Sequence, residues 1–443
     1  MKSPTRNTFI PLVIVLFGML LLSCSSEEEN SSEQVDASAE AASDRGAEAN
    51  EEEKEPVTVQ VQVHWEEQMF NERFKNPVEE HFPHITLEQI QSGSGRDSLE
   101  ELFATGQSPD IFFEVSQRDL EYFELEYDLD EMVDKHNYDL SHINPVFLDA
   151  LRARDFEEQR LLGMPYEAIY HVLFYNKEIF DLFGEDYPTA GMTWDDALEL
   201  ARSVSGERDG VEYRGLDLSN TSIPLLQLSV NKTDPETGEV MLDQPELSMY
   251  LELIDNIINL PGYGDENYFG ASRFHEEQTT AMLLNFVQGI EWWSEAEENE
   301  GLNMDVTAMP VFSDRDPVTH LPNIIPLSIN PHSEVKDAAF DVITFFTEDE
   351  YQVFASRMGL GPVNKNEEIL HEFFQDYEST HNKDIPSIFT NPTAPPPEQI
   401  SPWDSYVELN MGDYAESGLD RNEYLRIAAE EGEIAIQEAK AIE

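Results

Sequence analysis

The sequence predicts an α/β protein built as two lobes. Its 443 residues are 40% hydrophobic and include 25 Phe, 16 Tyr and 5 Trp, which is enough apolar volume for two cores rather than one. Residues Val57 to Val63 alternate apolar and polar side chains with the period of two that is typical of a strand. A helical stretch from about Glu67 to His81 and a second strand from Ile85 to Ile90 follow, so strands and helices alternate from the start of the folded part.

Residues 1–23 have the pattern of a lipoprotein signal peptide. Lys2 and Arg6 precede an apolar stretch, Phe9 to Leu22. This stretch has the length of a signal-peptide core and is shorter than a typical transmembrane helix. Residues 21–24, LLSC, resemble a bacterial lipobox, and Cys24 is the single cysteine of the chain. We therefore expect Cys24 to be the lipidated first residue of the mature protein, anchored on the extracellular side of the cell membrane. The alternative is a plain cleaved signal peptide with an incidental cysteine.

Residues 24–56 are predicted to be a disordered acidic tether, because they are rich in Ser, Ala, Glu and Asp and contain almost no large apolar residue. The whole chain is acidic as well, with 91 Asp and Glu against 26 Lys and Arg and a formal net charge of -65. Such a surface repels nucleic acid phosphates and anionic lipids, so no nucleic acid partner is expected and the membrane is reached only through the lipid anchor. It suits a salty or alkaline cell exterior, where screening offsets self-repulsion.

Residues 161–181, LLGMPYEAIYHVLFYNKEIFD, contain the most informative pattern. A G-x-P-Y motif leads into an apolar and aromatic run from Ile169 to Tyr175, which is long enough for one buried strand. The polar pair Tyr166 and Glu167 stands at the entry, while His171 and the residues after it are expected to pack. The segment resembles the first inter-lobe crossover of the extracellular solute-binding proteins of ABC importers, the family that carries maltose- and oligosaccharide-binding proteins.

Six further segments resemble the same family in the same order along the chain. They are GQSPDI at 106–111, PTAGMTWDDA at 188–197, TTAMLLNFVQGIEWW at 279–293, MDVTAMPVF at 304–312, the helix pair at 335–358 and GLGPVN at 359–364. In the third, the family has a helix carrying Ala-Met, then a strand, a glycine and a tryptophan. Two departures stand out: the G-x-W spacing is G-I-E-W-W here, and Glu334 replaces the lysine usual after Ser333.

The resemblance covers about Val57 to the end and implies a two-lobed periplasmic-binding-protein-like (type II) α/β fold with three inter-lobe crossovers. Lobe 1 is expected to comprise residues 57–167 and 310–362, and lobe 2 residues 168–309 and 363–443. The implied function is that of a monomeric solute-binding lipoprotein, which captures a sugar or oligosaccharide by hinge closure and delivers it to ABC permease subunits. No catalytic activity, cofactor or metal is expected.

Nine side chains are candidates for contact with the ligand. Aromatic rings can cover the C–H face of a sugar, while carboxylates and amides bond its hydroxyls. Trp65, Glu66 and Glu114 follow strands, at the edge where α/β sheets bind ligands, and Trp292 or Trp293 takes the position of the family's stacking aromatic, with the spacing leaving open which. The complete set is Trp65, Glu66, Glu114, Tyr166, Glu167, Asn220, Trp292, Trp293 and Trp403.

Three other readings remain open. The same aromatic and acidic cleft would suit a cationic solute such as a polyamine or betaine. A carbohydrate-active enzyme also uses paired carboxylates, but 91 acids produce such pairs by chance, and the sequence has no nucleophile elbow, HExxH motif or P-loop. An adhesin is the third, although it would have no use for crossovers. The acidic stretch Tyr122 to Asp134 does not have the spacing of an EF-hand.

Overall fold

The structure is a computed structural model that describes residues 54–263 and 269–442. The predicted signal peptide, Cys24 and the predicted tether up to residue 53 lie outside the described residues. The strands are β1 (Val57–Val63), β2 (Ile85–Gln91), β3 (Ile111–Phe113), β4 (Met164–Ile169), β5 (His171–Asn176), β6 (Gly206–Arg208), β7 (Val211–Leu218), β8 (Thr280–Phe286), β9 (Met304–Thr307) and β10 (Asn323–Ile329).

The α-helices alternate with these strands and then dominate the C-terminal part. They are α1 (Glu67–Phe70), α2 (Asn76–His81), α3 (Arg96–Ala104), α4 (Gln117–Tyr122), α5 (Asp130–His136), α6 (Pro145–Arg154), α7 (Lys177–Phe183), α8 (Trp194–Ser203), α9 (Ile223–Leu226), α10 (Pro245–Ile258), α11 (Ser272–His275), α12 (Gly289–Trp292), α13 (Ser294–Asn299), α14 (Lys336–Phe345), α15 (Asp349–Arg357), α16 (Glu367–His371), α17 (Met411–Ser417) and α18 (Arg421–Ile442). A π-helical turn, Asn71–Lys75, joins α1 to α2. No helix within residues 54–263 or 269–442 combines the length and the apolar character needed to cross a lipid bilayer.

In the described part of the chain the strands form two five-stranded sheets. The first has the order β2-β1-β3-β10-β4, in which β1 runs parallel to β2 and β3, and β10 runs antiparallel to β3 and β4. The second has the order β6-β7-β8-β5-β9, with β7 parallel to β8 and β5 antiparallel to both its neighbours. The predicted α/β class is confirmed. Ala281 and Met282, which the family pattern places in a helix, lie in β8 instead.

The chain passes between the two sheets at Tyr170. Strand β4 ends in the first sheet at Ile169 and β5 begins in the second at His171, so the run predicted as one strand is divided between two sheets. An unbroken apolar run gives no sign of such a break, because both strands are buried. The hydroxyl of Tyr170 donates to the carbonyl of Pro362 at 3.2 Å, which holds the passage against the segment after α15.

Two further passages complete this arrangement. The chain returns from the second sheet to the first between β9 and β10, and residues 359–363 run beside β4, where Ala168 N–H donates to Gly361 O at 2.9 Å. A Cβ atom at Gly361 would lie 1.8 Å from the Ala168 carbonyl oxygen, so only glycine allows this approach. The three predicted crossovers are present in the fold, whereas the exact lobe boundaries remain a prediction.

Strand β5 is buried on both faces, which explains its apolar sequence. Val172 and Phe174 pack into the core that also contains Val61 of the first sheet. Leu173 packs on the opposite face with Ile254 of α10. Successive strand residues point to opposite faces, so one short strand joins two cores.

Helix α8 begins as the sequence predicts. The Thr193 hydroxyl accepts from Asp196 N–H at 3.1 Å, and the Asp196 carboxylate accepts from Thr193 N–H at 3.0 Å, which forms a capping box. Trp194 is buried, and its indole N–H donates to Gln227 Oε1 at 2.9 Å. Thr193 is thus the helix N-cap, and Trp194 belongs to the core.

Candidate functional site

A pocket of about 410 Å³ is lined by side chains from both sheets. The first sheet contributes residues that follow β1 and β3 and residues of β4 and β10, while the second contributes the end of β8 and the helix after it. The lining residues are His64, Trp65, Met69, Arg73, Phe113, Glu114, Glu167, Ile169, Phe286, Gln288, Glu291, Trp292 and Ile325.

Trp65 forms an aromatic wall of the pocket. It follows the carboxyl end of β1, and its ring packs edge-on against Phe113 at 4.7 Å and Phe74 at 5.2 Å between centroids. Its carbonyl accepts a hydrogen bond of 2.7 Å from the Gln89 side chain. Because both ring and backbone are held, the indole is a fixed surface for a ligand to pack on.

Arg73 is a lining residue that the sequence did not predict. It lies in the π-helical turn Asn71–Lys75, and its Cζ is 5.5 Å from the centroid of the Trp65 ring. Its carbonyl accepts from the Tyr351 hydroxyl at 2.9 Å, which anchors the turn. A π turn has no signature in a helical hydrophobic pattern, and turns of this kind are frequent at functional sites. The same turn also contains Lys75, so the sequence gives no signal that singles out Arg73.

Glu114 has a strained backbone. Its φ of 59° lies in the left-handed region, which is uncommon for residues other than glycine. The backbone N–H donates to Pro326 O at 3.0 Å, and the carboxylate lies 4.0 Å from His64 Nδ1. Strain of this kind costs on the order of 1 kcal/mol or more and concentrates at binding and catalytic sites. Glu114 follows β3 and lines the pocket.

Glu167 and Gln288 meet across the pocket from different sheets. Glu167, on β4, is 8% exposed, and Gln288, just after β8, donates through Nε2 to its Oε1 at 3.4 Å. Burial raises the pKa of Glu167 to about 7, an effect that Arg73 and the backbone of Gly361 oppose and Glu114 reinforces. Gln288 Oε1 is buried and has no hydrogen-bond partner among the described residues.

The adjacent tryptophans have different environments. Trp292 is 57% exposed, lines the pocket and contacts the Phe286 ring at 6.3 Å. Trp293 is 6% exposed and packs on Phe174 at 4.9 Å and His275 at 5.2 Å between ring centroids. Consecutive residues of a helical turn point about 100° apart, so only one of them can face the pocket. The pocket is therefore lined by Trp292, while Trp293 packs in the core.

Tyr166 supports the site from behind. It is 1% exposed, and its ring centroid lies 6.0 Å from that of Trp65. Its hydroxyl is 2.8 Å from the Tyr351 hydroxyl, so the phenol is already hydrogen-bonded inside the core. Tyr166, a predicted ligand contact, does not line the pocket, because the alternation along β4 turns it inward while Glu167 faces the pocket.

Three other candidate residues do not line the pocket. Glu66 is exposed at the start of α1, and Asn220 accepts from Ser222 N–H at 3.0 Å within a turn before α9. Trp403 packs under Lys440, whose Nζ lies 4.5 Å from the ring centroid, so it belongs to the contact between the C-terminal helix and its neighbours. The position of a residue relative to the end of a strand in the sequence does not show which way its side chain points in the fold.

The pocket therefore combines two aromatic surfaces with donors and acceptors. Trp65 and Trp292 supply the rings, Arg73 supplies a cation, and Glu114 and Glu167 supply carboxylates. Within the described residues, no group of three or more His, Cys, Asp or Glu side chains is placed to hold a metal ion. Stacking on an apolar face and hydrogen bonding at its rim are the interactions that this set offers.

Solved structures of similar fold are sugar-binding and solute-binding proteins. A sugar transporter from Rhizobium etli in an open conformation has a TM-score of 0.68 at 17% identity and covers 85% of this chain and 99% of that chain. An ABC substrate-binding protein from Listeria monocytogenes in complex with cycloalternan has a TM-score of 0.65 at 17% identity, covering 86% and 100%. The sugar-binding protein MalE from Xanthomonas citri has a TM-score of 0.66 at 15% identity, covering 87% and 99%.

These likenesses show the fold, which is the two-lobed, type II arrangement predicted from the sequence. No curated protein sequence matches the chain. The family model for bacterial extracellular solute-binding protein matches residues 65–353, which is more than half of the 443 residues. The matched range contains every residue that lines the pocket except His64. The chain therefore belongs to the bacterial extracellular solute-binding protein family.

Proposed function

We propose that this protein captures a sugar or oligosaccharide in the pocket by hinge closure and delivers it to the permease subunits of an ABC importer. The observation that carries the proposal is that the pocket walls come from both sheets, with Trp65 beyond β1 and Trp292 beyond β8. A ligand that touches both walls binds the closed state better than the open one, and only such a difference in affinity can drive closure.

The lining chemistry favours a polyhydroxylated ligand. The two indoles offer apolar surfaces for C–H groups, and Glu114, Glu167 and Gln288 offer acceptors for hydroxyl donors. Arg73 offers donors and leaves the pocket with charges of both signs. A neutral ligand with alternating hydroxyl and C–H surfaces uses all of these groups at once.

The remaining sequence predictions complete the proposal. The mature chain starts at Cys24, is lipid-anchored on the extracellular side of the cell membrane through a tether of residues 24–56, and acts as a monomer. Residues 57–167 with 310–362, and 168–309 with 363–443, form the two lobes. The passages of the chain at Tyr170, before β10 and at Gly361 support these boundaries.

A thermal-shift screen of residues 54–443 tests the ligand class, because selective binding to the folded state raises the unfolding midpoint by mass action. The panel contains maltose, cycloalternan, D-mannitol, spermidine and glycine betaine. We expect a saccharide to give a shift that Trp292→Ala abolishes. The matched control is Tyr122→Ala, since Tyr122 is 56% exposed and lies on α4 outside the pocket. The absence of any saccharide shift would overturn the proposal.

A cationic solute is the second candidate, favoured by the three carboxylates Glu114, Glu167 and Glu291 beside aromatic rings in one pocket. Spermidine or betaine binding that weakens steeply with ionic strength would select it, since neutral sugar binding varies little with salt. We further propose that the protein is not an enzyme. Hydrolysis of maltose by the wild type, lost in Glu167→Gln, would contradict this.

A further inference from the structure

The contact between Glu167 and Gln288 is incomplete. The amide donates to the carboxylate at 3.4 Å, near the limit of a hydrogen bond, and the amide oxygen Oε1 is buried without a partner among the described residues. A buried acceptor left without a donor costs about 1–3 kcal/mol. A ligand that supplies an O–H or N–H group there would satisfy Gln288 Oε1.

Charged and titratable groups surround the Glu167 carboxylate from several elements. Arg73, from the π turn, favours its ionised form, whereas Glu114, after β3, opposes ionisation. The same pocket also holds His64, after β1, and Glu291 of α12, and behind it the Tyr351 hydroxyl of α15 interacts with Glu167. Arg73, the Gly361 backbone and the Gln288 amide favour the charged form, but burial outweighs them, so hydrogen bonds donated by a ligand would shift the balance further toward the carboxylate.

We propose that Glu167 and Gln288 together form the subsite that reads a donor group of the ligand, and that ligand binding there is coupled to loss of a proton from Glu167. The proposal rests on the proposed function. The proton passes from the carboxyl to solvent buffer, and no covalent bond to the ligand forms. One ligand hydroxyl donates to the carboxylate left behind, and a neighbouring hydroxyl donates to Gln288 Oε1.

The sign of the coupling follows from the environment. In the free protein the buried carboxyl has its pKa raised to about 7, so near neutral pH it is partly protonated. Donated hydrogen bonds stabilise the carboxylate and lower that pKa in the complex, so binding releases protons and tightens as pH rises. A ligand acting as acceptor from a protonated carboxyl would give the opposite slope.

The first experiment needs no ligand. Difference infrared spectra between the wild type and Glu167→Gln, recorded over a pH series, isolate the carboxyl band of this residue in the free protein. We expect a protonated carboxyl at about pH 6 that ionises through about pH 7. A band that is already fully ionised at about pH 6 overturns the proposal whatever the ligand.

The second experiment measures maltose and cycloalternan binding by titration calorimetry. We expect affinity roughly tenfold higher at about pH 8.5 than at about pH 6, as one group with a pKa of about 7 predicts. The binding enthalpies measured in phosphate and in Tris should differ, because the buffers take up the released proton with different heats. At pH 7 the difference should correspond to the release of roughly half a proton per ligand bound. In Glu167→Gln the slope and the proton release should vanish, and Gln288→Met should weaken binding about tenfold.

Glu121 provides a matched control, because Gln117 donates to it at 3.0 Å and burial raises its pKa, yet it lies outside the pocket. Glu121→Gln should keep the wild-type pH slope. Binding with a flat pH profile, or a slope that survives Glu167→Gln, overturns the coupling and leaves the proposed function intact. If neither probe binds the wild type at either pH while Glu167 titrates as expected, the proposed function has failed, and the coupling falls with it.

Discussion

The guanidinium of Arg73 lies over the Trp65 ring, with Cζ 5.5 Å from the ring centroid. It forms no ion pair with any carboxylate of the described residues, in a chain that has 91 acidic and 26 basic side chains. Guanidinium groups stack favourably on indole faces, and such contacts contribute about 0.5–2 kcal/mol. Arg73 thus positions a cation and an aromatic ring together, next to the buried carboxyl of Glu167.

Replacing Arg73 with methionine should raise the pKa of Glu167 further, because Arg73 is the main group that lowers it. Infrared titration of the free protein measures the change. We also expect ligand affinity to fall about tenfold, as hydrogen bonds from a charged donor are lost. Arg202→Met, on the exposed end of α8, should change neither quantity. An unchanged Glu167 titration in Arg73→Met would contradict this role.

The two adjacent tryptophans should separate binding from stability. Trp292→Ala removes a half-exposed ring from the pocket, so affinity should drop at least tenfold while the free energy of unfolding changes by less than about 0.5 kcal/mol. Trp293→Ala leaves a cavity beside Phe174 and should lower the free energy of unfolding by about 3–5 kcal/mol. Calorimetry and denaturant unfolding measure both. The reverse pattern would show that Trp293 faces the ligand.

A buried histidine pair should make the fold sensitive to acid. His171 Nδ1 lies 3.3 Å from His320 Nε2, and burial lowers the pKa of His171 from 6.5 to about 4. The histidine binds a proton at a higher pH in the unfolded chain than in the folded one. The stability associated with neutral His171 is therefore complete above about pH 6.5, and it is lost progressively as the pH falls toward 4. The loss is on the order of 3 kcal/mol.

Denaturant unfolding of the wild type and His171→Gln at several pH values isolates this contribution. We expect the wild type to lose more stability than the variant between about pH 6.5 and 4. The exposed residue His332 offers a control, because His332→Gln should follow the wild-type curve. Parallel curves for the wild type and His171→Gln would show that His171 binds its proton equally well in both states.

The acidic composition predicts stabilisation by salt. A formal net charge of -65 opposes the compact state through self-repulsion, and the Debye length falls from about 10 Å at 0.1 M salt to about 3 Å at 1 M. The unfolding midpoint measured by calorimetry should therefore rise between these concentrations of sodium chloride. Sucrose stabilises folded proteins because it is excluded from their surface, and it does not screen charge. Comparing sucrose with salt therefore separates general stabilisation by exclusion from stabilisation by charge screening. A midpoint that responds to sucrose and not to salt would refute the prediction.

Local patterns in the sequence located much of the fold. The alternation in Val57–Val63 gives β1, and the Thr193 cap gives the start of α8. Neither depends on distant residues, because period and capping are local properties of the chain. The break at Tyr170 was missed for the same reason: a run buried on both faces has no period that marks where one sheet ends and another begins.

In the candidate site, too, local patterns indicated some of the lining residues and gave no indication of others. Trp65, Glu114 and Glu167 were predicted because they follow or enter strands whose ends meet in an α/β fold, and they line the pocket. Arg73 was missed because a π turn leaves no trace in helical periodicity. Trp403 does not line this pocket, and its ring packs under Lys440, a contact that no local pattern in the sequence indicates.

By itself, the sequence determined the α/β class, the order of the crossovers, the acidic composition and the family to which the chain belongs. Only the tertiary structure decided that Trp292 and not Trp293 reaches the pocket, that Tyr166 lies behind Trp65, and that Gln288 meets Glu167 from the other sheet. The physical reason is that the class follows from local periodicity, whereas the crossovers and the family follow from short motifs that resemble those of the family. The direction of a side chain and its neighbours depend on contacts between segments more than a hundred residues apart.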